Sequence, residues 1–255
     1  MNTDGRRIYA IGDIHGMLDT LREVHEWIAR DRAEHPWRDS TIVHLGDYTD
    51  RGPDSRGVLD WLIATDGPDR VNLMGNHDRM FASYAARPGW QDPRLYRHKG
   101  YHYLHPVIGG AATLASYGIE MPAEPLPLER AADFHDHAAA AIPQAHVDFI
   151  HGLALSHRIG DYLFVHAGID PDRALDDQHV EDLLWRREGW LDWSGTLPVT
   201  VVHGHTVVQH PEHHGYRIGI DTGAVFGGSL TCLVLDGPEV GVLTGHNVRP
   251  LIPRT

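Results

Sequence analysis

Ile42-Val43-His44-Leu45-Gly46-Asp47-Tyr48-Thr49-Asp50-Arg51-Gly52 reads as an apolar strand that stops at a glycine and hands over to a carboxylate. Val71-Asn72-Leu73-Met74-Gly75-Asn76-His77-Asp78 repeats that grammar, and Ile8-Tyr9-Ala10-Ile11-Gly12-Asp13-Ile14-His15-Gly16 shows it upstream. Three strand ends that present Asp, His, Asp and Asn within about 65 residues are what a two-metal hydrolytic site needs. In open α/β sheets, sites form at the carboxyl ends of strands.

Outward from this stretch, Leu18, Leu21, Val24 and Ile28 recur at helical spacing, which predicts a helix over Met17–Ala33. Pro53 or Asp54 opens a second helix that carries Val58, Leu59 and Leu62 and closes near Gly67-Pro68. Strands are expected at Arg7–Ile11, Thr41–Leu45 and Val71–Met74, paired in parallel through right-handed crossovers. Downstream, strands are predicted at Tyr162–Val165, Val199–Val202 and Arg217–Ile220, and a helix at Val180–Arg187. Ser229–Leu235 and Val240–Thr244 read as a terminal hairpin around Asp236-Gly237. A short helix is expected at Arg79–Ala86, and after it lies a mostly helical excursion at about 88–153, with helices expected at Ala111–Tyr117, Ala131–Ala141 and Ala145–Leu153. It is expected to pack over one rim of the site. No linker-like tract divides residues 1–255, so one domain is the expectation.

The formal net charge of −13 argues against a nucleic-acid partner, because a phosphate backbone attracts a basic face. It is compatible with small phosphorylated substrates, since bound metal reverses the local field. A single cysteine, Cys232, fits a reducing compartment, and its apolar strand makes it a packing residue. Met1–Arg7 is polar without an apolar signal core behind it, and no apolar run is long enough to cross a bilayer. The expectation is a cytoplasmic protein with no membrane partner.

Gly-Asp after one strand is ordinary turn chemistry. Five such motifs at five strand ends are not, and His166-Ala167-Gly168 and His203-Gly204-His205-Thr206 supply the other two. Phosphate-ester hydrolysis must neutralise phosphoryl oxygens, produce hydroxide near neutral pH and help the leaving group depart. Two divalent metals meet the first two needs. Asp13 and His15 would bind the first metal, and Asp47 would bridge both. Asn76, His166 and His205 would complete the second. Mixed oxygen and nitrogen ligands suit manganese first, with iron or zinc as options. His77 would be the general acid, oriented by Asp50. Arg51 offers a bidentate fork to phosphate.

These five blocks resemble the metallophosphoesterase signature and, more narrowly, the phosphoprotein phosphatase branch in its bacterial and phage form. The order and type of every block match across about residues 8–235. The resemblance implies an α/β four-layer αββα sandwich: two mixed β-sheets flanked by helices, with a dinuclear metal centre. It implies a metal-bridging hydroxide that attacks phosphomonoesters of phosphorylated proteins (Ser/Thr, with Tyr open) or small phosphoesters. Leu184-Trp185-Arg186-Arg187-Glu188 resembles the family's Trp-x-Arg-Glu segment and implies Arg187 as a second phosphate clamp, with Arg186 as the fallback. Asp221-Thr222-Gly223-Ala224-Val225-Phe226-Gly227-Gly228 resembles the glycine-rich turn before the last hairpin of phage-type phosphatases.

Asp78 departs from the Glu more usual in protein phosphatases. The Asp form is also seen in the sister branch of symmetrical diadenosine tetraphosphate hydrolases, which is the alternative reading. A non-catalytic phosphate-binding module is the second alternative, and the intact ligand set argues against it. Of the remaining histidines, His203 is expected to be buried and hydrogen-bonded, and His44 to pack inside its strand. His98, His102 and His105 lack the partners of a third metal site. His210, His213 and His214 are expected in a solvated loop.

Overall fold

The architecture is that of a computed structural model, which describes residues 1–87, 90, 92–95 and 101–254. One sheet has β1 (Arg7–Ile11), β2 (Ser40–His44) and β3 (Arg70–Asn72) in parallel on one side, joined by α1 (Leu18–Glu34) and α2 (Ser55–Ala64). Its other side is the antiparallel run β9 (Cys232–Asp236), β10 (Glu239–Thr244) and β11 (Asn247–Pro250), giving the order β11-β10-β9-β1-β2-β3. The second sheet comprises β4 (Ser156–Ile159), β5 (Tyr162–Val165), β6 (Thr200–His203), β7 (Glu212–His213) and β8 (Arg217–Gly219), in the order β4-β5-β6-β8-β7. Both sheets are mixed, and β5, β6 and β8 run parallel.

Side-chain alternation along these strands builds the layers. Ile8, Ala10, Val43 and Leu233 of the first sheet share one buried cluster with Tyr162, Phe164 and Val202 of the second, so the two sheets pack face to face. The intervening residues Tyr9, Ile11, Ile42 and Cys232 face the opposite way, into a cluster with Leu21, Val24 and Ile28 of α1 and Val58 and Leu62 of α2. On the outer face of the second sheet, Leu163, Val165 and Val201 meet Leu183 and the fully buried Trp190. The four layers follow from strands that are apolar on both faces. Asp54 caps α2 as its position suggested, accepting the Gly57 amide at 2.8 Å.

α3 (Asn76–Ala86) leads into the excursion, which contains α4 (Gly110–Ser116), α5 (Leu128–Ala131), α6 (His135–Ala141) and α7 (Gln144–His151). A single helix expected over 131–141 is instead broken by a 3₁₀ turn at Ala132–Phe134. α8 (Val180–Trp185) is two residues shorter than expected: Arg186 adopts extended backbone and Arg187 lies beyond the helix. β3 stops at Asn72, and Leu73 instead bridges to Ala154. β4, β7 and β11 were not apparent as strands, because a two- to four-residue strand carries too little periodicity. β7 corrects the expectation for His213, which is buried rather than in a solvated loop; His214 pairs with Glu212 at 3.0 Å, and His210 is exposed. Among the described residues, no helix is long and apolar enough to cross a membrane.

Candidate metal and phosphate site

The carboxyl ends of both parallel runs converge. β1 delivers Asp13 and His15; β2 delivers Asp47, Asp50 and Arg51; the turn after β3 opens α3 with Asn76 and His77. β5 delivers His166, and β6 delivers His205. Apart from Arg51 and Arg187, these side chains are buried. Such crowding demands unusual backbone. Among the described residues six non-glycine positions have left-handed φ, and five are His15 (45°), Asp47 (53°), Asp50 (72°), Arg51 (69°) and His205 (63°). That conformation costs about 1–3 kcal/mol for a non-glycine residue. Asp and His tolerate it better than most, which is one reason the turns read D-x-x-D and G-H. Gly75 and Gly204 are required for space: a Cβ on either would collide with the carboxylates of Asp47 and Asp13, respectively.

The donor set is arranged for cations. His15 Nδ1 donates to the Thr49 carbonyl at 2.7 Å, and His166 Nδ1 donates to the Leu45 carbonyl at 2.9 Å. Those bonds fix the tautomers and leave each Nε2 lone pair facing the site. Asp47 lies between them, with Oδ2 3.5 Å from His15 Nε2 and Oδ1 3.4 Å from His166 Nε2. Asn76 Oδ1 is 2.9 Å from the same His166 nitrogen. Buried His205 Nε2 has no hydrogen-bond partner in the described structure. Burial lowers His15 well below the ordinary imidazole range and His166 to about 4, so both rings are neutral acceptors that face other acceptors. The carboxylates show the complementary strain. Burial, then Asp221 and Asp47, push Asp13 well up, and burial raises Asp47 to about 7 against the pull of Arg51. The lone pairs of Asp47, Asn76, His166 and His205 that converge here fit divalent metal, and Arg51 is the donor that sits on His15 Nε2. Asp47 takes part in both compact groups, one with His15 and His77 and the other with His166 and His205.

Asp13 lies outside those two groups. Its carboxylate receives the His205 amide at 3.1 Å on each oxygen, which ties the end of β1 to the end of β6. His77 is close to His15 and Asp47, yet its ring is already committed elsewhere. Nδ1 donates to Asp50 Oδ2 at 2.7 Å, and Nε2 accepts from Arg51 at 2.8 Å. Arg51 also donates to His15 Nε2 at 2.6 Å. Asp50 has no exposed surface; burial raises it to about 7, opposed by hydrogen bonds from Tyr103 at 2.7 Å and Thr113 at 2.8 Å. Both of those donors come from the excursion.

The tandem arginines separate clearly. Arg186 pairs with Asp182 at 2.8 Å and Asp170 at 3.5 Å. Arg187 donates to the His205 carbonyl at 3.1 Å, and the charges of Arg51, Asp47, Asp13 and Asp221 all reach it. The geometry therefore places Arg187 closer to the ligand cluster, where the segment resemblance put the clamp. Both arginines line a cleft of about 690 Å³ that opens over Asp47, Asn76, His77 and His205. Leu95, Tyr101 and Ile108 of the excursion form part of its wall.

Four further residues shape the site without having been assigned a role. Asp78 is fully buried and accepts the amides of Asp47 (2.8 Å), Tyr48 (2.8 Å) and Gly75 (2.9 Å), so it clamps the two ligand loops together. Asp221 is buried beside Asp13. Its position directly after a strand was the available signal. Tyr103 and Thr113 gave none, since their partner is more than 50 residues away. His203 is buried, with Nδ1 3.1 Å from the Gly204 carbonyl. His44 does more than pack: it pairs with His25 at 2.9 Å and Asn72 at 2.8 Å. His102 bonds the Leu126 carbonyl at 2.9 Å, and His98 lies outside the described residues.

The family model for calcineurin-like phosphoesterases matches residues 6–250. The asymmetrical bis(5'-nucleosyl)-tetraphosphatase PrpE of Bacillus thuringiensis (strain Al Hakam) is 26% identical, with 95% of each chain covered. A solved structure described provisionally as a diadenosine tetraphosphatase aligns with a TM-score of 0.62 at 21% identity, covering 99% of this chain and 96% of that one. The cold-active protein-tyrosine phosphatase of a psychrophilic Shewanella aligns with a TM-score of 0.61 at 16% identity, covering 97% and 80%.

Proposed function

Because this chain belongs to the calcineurin-like phosphoesterases and is a metallophosphoesterase hydrolase, we propose that it cuts dinucleoside tetraphosphates into two unequal nucleotides. The phosphoprotein reading suggested by Thr206 and the Trp185–Glu188 segment gives way to the reading suggested by Asp78. The named relative favours the dinucleoside substrate, but its asymmetrical cleavage replaces the symmetrical cleavage of that alternative; the phosphatase likeness is one of fold.

The observation that carries the proposal is the cleft's cationic wall. Arg51, Arg94, Arg186 and Arg187 all line it. A single phosphoryl group occupies one or two guanidinium forks. Each guanidinium has five N–H donors, and among the described residues Arg94 commits only its Nε, to Glu181. Arg186 is held by Asp182 and Asp170, and the other three arginines, Arg51, Arg94 and Arg187, suit a chain of phosphates.

Divalent metals held by Asp13, His15, Asp47, Asn76, His166 and His205 would neutralise phosphoryl oxygens and acidify water. The residues of the chain supply the rest. Arg51 and Arg187 hold the phosphoryl group under attack. A phosphoryl group that draws Arg51 away from His77 frees Nε2 to carry a proton, and Asp50 keeps the ring aligned. Water adds to one terminal phosphorus, the P–O–P bridge breaks there, and the products are a nucleoside monophosphate and a nucleoside triphosphate.

The test is a manganese-supplemented comparison on one preparation, with diadenosine tetraphosphate against phosphoserine and phosphotyrosine peptides. The expected result is a higher kcat/KM for the dinucleotide by at least a factor of ten, with AMP and ATP as products. Two ADP as products would overturn the asymmetry, and a preference for peptides would overturn the substrate class.

A further inference from the structure

Arg51 separates two cavities. On one side is the arginine-lined cleft. On the other is a groove of about 760 Å³ whose walls include Met121, Pro125 and Leu126 of the excursion and Val225 and Phe226 of the glycine-rich turn. Phe226 is 66% exposed, a costly position for a phenyl ring. The backbone forces that exposure. Gly223 and Gly227 have φ of 68° and 89°, and between them a single 3₁₀ turn, Ala224–Phe226, carries the ring outward. The Arg51 guanidinium lies over the ring at 5.6 Å from its centroid, and the same guanidinium reaches His15 and His77.

We propose that this groove is the subsite for the nucleobase of the monophosphate product, with Phe226 as its stacking platform. The inference rests on the dinucleoside tetraphosphate reading and extends it to one half of the substrate. Three observations select that occupant. The groove adjoins the cleft over the metal-ligand cluster through Arg51 and Val107, which line both, so a phosphoryl group held by Arg51 has its ester substituent beside Phe226. The Arg51 guanidinium lies 5.6 Å from the ring centroid, a separation that a ribose spans. The walls are apolar with one carboxylate, Glu124, as suits a base and a ribose rather than a further phosphate. The arginines of the opposite cleft then take the longer triphosphate arm, and the unequal chemistry of the two cavities accounts for unequal products. A π-face that stacks a base without edge-reading predicts tolerance of adenine, guanine and pyrimidines in the order of their stacking strength.

The experiment measures AMP binding to the manganese-loaded protein by calorimetry, and kcat/KM for diadenosine tetraphosphate and for inorganic tetraphosphate. The wild type is compared with Phe226→Ala, Phe226→Trp and Leu126→Ala. Phe226→Ala is expected to weaken AMP binding about ten-fold, in line with loss of base stacking. Its loss on the dinucleotide should exceed its loss on inorganic tetraphosphate by a similar factor. Phe226→Trp should restore both, and Leu126→Ala should give a smaller effect of the same kind. Equal losses on the base-bearing and base-free substrates would overturn the subsite, since that pattern reports displacement of Arg51 alone. So would AMP affinity indifferent to Phe226 and Leu126, or no AMP binding at all. If the wild type hydrolyses no dinucleotide yet binds AMP in a Phe226-dependent way, the functional reading fails and the subsite stands.

Discussion

The cluster at the strand ends and the excursion that roofs it meet at Asp50, and they are built on opposite principles. The cluster is dense, buried and backbone-strained, with its ligands on turns between strands that cannot shift without moving both sheets. The excursion is a set of short helices with a partly exposed wall toward the cleft. The first fixes what chemistry is possible. The second supplies Tyr103 and Thr113 to the Asp50 carboxylate and walls to both cavities, and so bears on rate and choice of substrate. Fixed machinery with a variable rim is the division expected when function is carried on loops held by a rigid scaffold.

The largest effect should come from the cluster itself. Asp47→Asn removes charge from the one carboxylate that faces both His15 and His166, and activity should fall on the order of 10³-fold or more, as loss of metal charge stabilisation implies. Elemental analysis should show reduced metal content; a full complement would remove Asp47 from its bridging position.

A graded effect should follow at the junction. His77→Asn is expected to cost ~10²–10⁴-fold on a phosphoserine peptide, where an alkoxide must be protonated as it leaves. On diadenosine tetraphosphate the loss should be only about ten-fold, because a nucleotide phosphate is a far weaker base and needs little help from an acid. Parallel kinetics on the two substrates would show this, and equal losses would mean that His77 acts by another route.

The smallest effect should come from the rim. Tyr103→Phe removes one donor from the Asp50 carboxylate. That hydrogen bond holds the Asp50 pKa down, so its loss raises the pKa. Asp50 must be ionised to orient His77, so the acidic limb of the pH–rate profile should move to higher pH, by up to about one unit for a typical hydrogen bond to a charge. Activity well above that limb should change by less than a factor of ten. An unmoved limb would separate the excursion from the chemistry.

Much of the cluster was legible in the sequence because its determinants are local. An apolar strand, a glycine and a metal-capable side chain lie within a few residues of one another, and Asp13, His15, Asp47, Asn76, His77, His166 and His205 were named on that basis. The parallel pairing of β1, β2 and β3 followed from the alternation of strands and helices. What was missed is non-local or short. Asp78 reads as a departure from a motif, and only the fold shows it accepting four amides, of Asp47, Tyr48, Thr49 and Gly75, that join two ligand loops. The break at Ala132–Phe134 and the strands β4 and β7 left no periodic signal.

The sequence by itself determined the family and the identity of the metal-capable side chains, because both rest on residue type at short spacing, and the two-sheet architecture came with the family resemblance. Only the tertiary structure decided how those side chains face one another. It set Asp47 between two imidazole lone pairs, brought Arg186 to Asp170 and Arg187 to the His205 carbonyl, and placed Phe226 under the Arg51 guanidinium. Those relations join segments up to about 175 residues apart, and nothing but packing fixes the distance between atoms that far apart along a chain.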